Sequence, residues 1–186
     1  MRILLQILFL FISFSIIAQD GTSIEKIVKA DFDENGIEDI AYLTQETSSD
    51  YDSLEIEVHL MGSEGILHEI KTEKMIFNKT NSDDYLLCYS FAYSENSLNL
   101  VFRKNDTNYY WFFEYNENDF ELLYYGESIR ENETQTFRYL NLKSGKLSVS
   151  QLKPNADNWD TFSKPFTVIS IPTLKEFKGY EVKWPK

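Results

Sequence analysis

The chain is poor in the residues that usually staple and bend a small domain. Its 186 residues include one cysteine, four prolines and seven glycines. A single cysteine, Cys88, excludes any disulfide within the chain, so the fold must be held by its core, its hydrogen bonds or a bound ion. With glycine and proline scarce, turn-making passes to Asn, Asp and Ser, whose short polar side chains bond their own backbone. Such residues cluster at 94–97, 104–107, 116–119 and 143–146. Basic residues are also in the minority, 18 Lys and Arg against 30 Asp and Glu, for a formal net charge of −12. That balance argues against nucleic acid and against anionic membrane surfaces as partners. Beyond residue 18 no apolar run is long enough for a membrane helix. There is no glycine-rich phosphate loop, dinucleotide fingerprint or nucleophile elbow. The two histidines, His59 and His68, show no metal-ligand spacing and read as surface residues.

What is present is an apolar leader followed by aromatic-rich alternation. Met1-Arg2 opens a hydrophobic stretch, Ile3 to Ile17, that ends at the small residue Ala18. This is the pattern of a cleaved export signal, and it predicts a mature chain beginning near Gln19 in a secreted or periplasmic location. Losing Arg2 with the leader takes the net charge from −12 to −13. The remainder, 19–186, reads as a single domain with no stable membrane insertion once the leader is removed.

Aromatic residues make up 16% of the chain, enough apolar surface to fill a core. Leu54, Ile56, Val58 and Leu60 alternate strictly with polar residues and predict a half-buried strand. A weaker strand follows over 66–77. Tyr85, Leu87, Tyr89, Phe91 and Tyr93 share a face of the next, as do Leu98, Leu100 and Phe102, then Tyr109, Trp111, Phe113 and Tyr115. Strands over 120–125, 136–142 and 147–151 follow, then a polar loop over 153–165 carrying Trp159, then a strand over 166–171. Only 171–177 could form a short helical turn. Short links between consecutive strands predict an antiparallel meander, folded as an all-β sandwich or a partly closed barrel. Cys88, among Leu86, Leu87 and Phe91, reads as a buried small hydrophobe.

One nonapeptide carries recognisable chemistry. In Asp31-Phe32-Asp33-Glu34-Asn35-Gly36-Ile37-Glu38-Asp39, oxygen-bearing side chains alternate at 31, 33 and 35, a glycine follows, and an aspartate closes the run. A short loop wraps a hard divalent cation in this way, because calcium takes about 6–8 oxygens and the glycine allows the sharp turn. An EF-hand would need a glutamate at its twelfth position, where this chain has Tyr42. Apolar and β-branched residues on both sides place the loop in a β-hairpin instead. The same residues also suit a metal-free turn.

The fifteen residues Lys29–Leu43 resemble the calcium loops of FG-GAP and VCBS-type repeats. The resemblance implies side-chain ligands from Asp31, Asp33, Asn35 and Asp39, a backbone carbonyl from Ile37, and calcium as the ion. Those families repeat the motif, whereas this chain has one copy, so a multi-bladed propeller is not expected. Glu34 and Glu38 fall at spacer positions facing solvent.

Three functional readings follow. The first is a non-enzymatic exported protein with one structural calcium site. The second is a glycan- or protein-binding module, its partner a glycan or a cell-envelope protein, using its aromatic strands or Trp159; the aromatics of 109–115, present on both strand faces, fit a buried central strand better. The third is a polysaccharide-acting hydrolase with unassigned carboxylates. Sequons at Asn78, Asn105 and Asn132 mark expected surface turns.

Overall fold

The computed structural model describes residues 22–178 apart from positions 82, 95, 118 and 169. The expected leader and the tail from 179 onward lie outside the described residues. Within them the chain is all β, with no helix. The strands are β1 (Thr22–Ala30), β2 (Asp39–Thr47), β3 (Tyr51–Gly62), β4 (Gly65–Lys71), β5 (Met75–Asn78), β6 (Leu86–Ser94), β7 (Ser97–Lys104), β8 (Thr107–Asn116), β9 (Asp119–Glu131), β10 (Thr134–Asn141), β11 (Lys146–Leu152) and β12 (Asp160–Pro165).

They form two antiparallel sheets stacked as a sandwich, without barrel closure. The first sheet runs β1-β2-β3-β4, with β5 pairing β3 beyond β4; the second is an unbroken meander from β6 to β12. Several turns place asparagine where a glycine-rich chain would place glycine. Asn96, Asn105, Asn132 and Asn155 all adopt positive φ, a conformation asparagine tolerates better than most residues.

The core lies between the sheets. Leu54, Ile56, Val58 and Leu60 are buried as their alternation predicts. They belong to the same apolar cluster as Leu98, Leu100, Phe102, Trp111, Phe113, Phe120 and Leu122 of the second sheet. Rings bridge the layers: Phe32 meets Phe120 at 5.6 Å, and Phe77 meets Phe102 at 6.0 Å. The segment after β12 seals one side. Leu174 donates its amide to Phe120 O, and Phe177 packs edge-on to Trp111 at 4.6 Å.

Three strand expectations need correction. The single strand expected over 66–77 is two, β4 and β5, because both share the long edge of β3. Thr72 fills the gap between them, its amide donating to Ile56 O and its hydroxyl accepting from Ile56 N at 3.0 Å. In β6 a bulge between Cys88 and Ser90 breaks the expected alternation. Leu86, Cys88 and Phe91 face inward, while Leu87 and Tyr89 are turned out. The last strand is Asp160–Pro165 rather than 166–171. It is an exposed edge strand, paired to β11 partly through the hydroxyls Ser148–Ser163 and Ser150–Thr161, so it carries no hydrophobic signature.

Candidate metal centre

The Asp31–Asp39 segment is the connection between β1 and β2, the hairpin position the sequence implies. Two positive-φ residues shape it, Glu34 at 58° and Gly36 at 85°. A Cβ at Gly36 would meet nothing within 4 Å, so glycine is required there for its dihedral and not for space.

Asp31, Asp33 and Asp39 converge, each with a carboxylate oxygen within 4.8 Å of the others. Asp31 and Asp33 are partly exposed and Asp39 is fully buried. Asp31 accepts the amides of Asn35 at 3.0 Å and Gly36 at 2.7 Å, and Asp33 accepts from Asn35 N at 3.2 Å. Asn35 lies beside them. Its Nδ2 donates to Asp33 Oδ2 and to Met61 O, and its Oδ1 accepts the Ile37 amide at 2.8 Å. Ile37 is half-buried in the same loop, while Glu34 and Glu38 are exposed, the latter 3.4 Å from Lys29 Nζ.

Two supports could not be read from the motif alone. Phe32, at a spacer position, is buried and anchors the loop between Tyr93 and Phe120. Met61, 22 residues beyond Asp39, sits at a bulge in the β3–β4 pairing. Its amide donates to Asp39 Oδ1 at 2.6 Å, and the Phe32 amide donates to Asp39 Oδ2 at 2.7 Å. Desolvation nevertheless holds the Asp39 carboxyl above the usual carboxylate range; the two amides lower it and the nearby Asp33 charge raises it further. Among the described residues no lysine or arginine pairs with Asp31, Asp33 or Asp39.

A cleft of about 340 Å³ opens beside the loop, lined by Asp33, Glu34, Glu114 and Glu117 together with Phe32, Tyr93, Asn96 and Tyr115. The hydroxyls of Tyr93 and Tyr115 are pushed up, first by burial and then by the surrounding carboxylates. The local field therefore favours a cation.

The other features singled out in the sequence are dispersed. Cys88 is buried, and desolvation pushes its thiol up to about 11, the opposite of an activated nucleophile. Trp159 is exposed next to β12. Tyr110 and Phe112 do not lie in a doubly buried strand. They share the outer face of the second sheet with Tyr124, Phe137 and Tyr139, all half-buried. Comparison with known proteins finds no matching family model, no matching curated protein and no matching solved structure.

Proposed function

We propose that this is an exported, secreted or periplasmic, non-enzymatic β protein whose β1–β2 hairpin is locked by one structural calcium ion. Asp31, Asp33, Asn35 and Asp39 would supply side-chain oxygens and Ile37 its carbonyl, with water completing the shell. The observation that carries this reading is the fully buried Asp39 carboxylate, close to two further carboxylates and, among the described residues, without a basic partner. Buried charge is normally paired or bound to a metal. A divalent ion would remove both the mutual repulsion and the desolvation burden in one step. Calcium suits the site better than magnesium, which demands near-ideal octahedral geometry and dehydrates reluctantly. Titration calorimetry of the mature chain is the test: one calcium bound per chain, with magnesium much weaker. Absence of heat at millimolar calcium would reduce the loop to a turn.

A second reading, a glycan-binding module, draws on the outer face of the second sheet. Tyr124 and Tyr139 stack there at 5.1 Å, beside the Ser148–Ser163 and Ser150–Thr161 hydroxyl ladder. Gly126 lies in this patch, where a Cβ would come into contact with Arg138 O and Tyr110 Cβ at 3.4 Å. Rings beside hydroxyls offer a sugar both an apolar and a hydrogen-bonding surface. Binding on a glycan array that is lost in Tyr139→Ala would support this reading; no binding would leave the calcium reading alone.

A further inference from the structure

We propose that Glu57, His59 and Glu69 form a second metal site, on the outer face of the first sheet, that takes a borderline transition-metal dication such as zinc. The donors are set by register. His59 and Glu69 are direct partners across β3 and β4, and Glu57 lies two residues before His59 on the same face. The intervening Val58, like Ile56 and Leu60, is buried against the core, which fixes that face outward. One ligand atom from each of the three lies within 4.8 Å of the others.

The donor chemistry separates this site from the β1–β2 loop. The loop offers oxygens only, as calcium requires; here an imidazole nitrogen joins two carboxylates, a set that suits zinc. Three protein ligands with an open outer side leave a fourth position for water. His59 Nε2 now contacts Glu57 Oε1 at 2.5 Å. A tetrahedral ion with bonds of about 2.0–2.1 Å holds its ligand atoms about 3.3 Å apart. The pair therefore opens by less than about 1 Å, within reach of small side-chain rotations. The metal takes the place of the hydrogen linking the two, and the neutral imidazole carries its hydrogen on Nδ1 instead.

Neighbours already orient the donors. Lys71 Nζ holds Glu57 Oε2 at 3.0 Å and Glu55 Oε1 at 2.9 Å, which leaves Glu57 Oε1 for the ion. The Tyr42 ring meets the imidazole edge-on at 5.2 Å and restricts its tilt. Position alone decides this set, since Glu69 is ten residues from His59 and on another strand.

The test is cobalt(II) titration followed by visible absorption, with zinc competition, on the calcium-saturated mature chain. The expected result is one cobalt per chain with the intense bands of four- or five-coordinate nitrogen–oxygen ligation, bleached by zinc. His59→Ala and His59→Gln should abolish the bands, and Glu69→Gln should weaken binding about tenfold or more. Glu34→Ala, at an exposed spacer of the calcium loop, should leave the bands unchanged. Circular dichroism would confirm that each variant is folded. Bands that survive in both His59 variants, or no cobalt uptake by wild type at submillimolar metal, would overturn the proposal.

Discussion

Phe32 shows how a spacer position can matter as much as a ligand. It occupies a place where the loop motif accepts any residue, yet it is buried against Tyr93 and Phe120. Phe32→Ala should destabilise the protein by about 3–5 kcal/mol, the range for truncating a buried aromatic, and should loosen the loop as well. Chemical denaturation measures the first effect and calcium affinity the second. The aspartates should behave differently from one another. Asp31→Ala and Asp33→Ala should abolish any calcium stabilisation while leaving the metal-free protein equally or more stable, because they remove like-charge repulsion. Asp39→Ala should damage the metal-free protein too, since it orphans the buried amide of Phe32 and the half-buried amide of Met61. Glu34→Ala should preserve the calcium response. The convergence of Asp31, Asp33 and Asp39 was legible because the motif is local and its spacing carries the geometry. Phe32, Met61 and the Glu57–His59–Glu69 set were not, because cross-sheet packing, a distant bulge and cross-strand register bring them into place.

β3 was read correctly because its two faces meet different surroundings, and strict alternation records that difference. Ile56→Asp places a charge in the core and forfeits about 1.5–3 kcal/mol of apolar burial, whereas Glu57→Lys alters only the outer face. Denaturation midpoints should therefore separate the two variants widely; coincident midpoints would contradict the register. The strands that were misread have a physical reason in common. β6 carries a bulge, β4 and β5 divide one partner's edge, and β12 is exposed along nearly its whole length. In each case the period-2 pattern is interrupted or absent, and hydrophobicity then misplaces the element. Thr72 marks the β4–β5 break with a hydroxyl that serves the buried Ile56 amide. Thr72→Val keeps the volume but removes that acceptor, so a loss of about 1–3 kcal/mol is expected in the same denaturation assay.

The sandwich as a whole has no disulfide, so its pH limits reflect groups held in its layers. Burial pushes Cys88 up to about 11, and burial with the neighbouring Tyr124 pushes Tyr139 up to about 12, from ordinary values of 9.0 and 10.0. A raised pKa in the fold means these groups stabilise it fully at lower pH and lose that contribution as pH climbs through the raised values. Stability should thus fall from about pH 9 upward, and Cys88→Ala should make the decline shallower; a flat profile across that window would count against the burial of both groups. The all-β class and the meander were legible from short links between alternating strands, whereas the division into two sheets between β5 and β6 left no mark in the pattern. Thermal melting of the wild-type mature chain, in calcium and in chelator, reads out the ion proposed to lock the first hairpin. At a calcium concentration about a hundredfold above the dissociation constant, the gain should be roughly 2.7 kcal/mol, seen as a clear rise in Tm that magnesium does not reproduce. Identical melting temperatures in calcium and chelator would contradict the account.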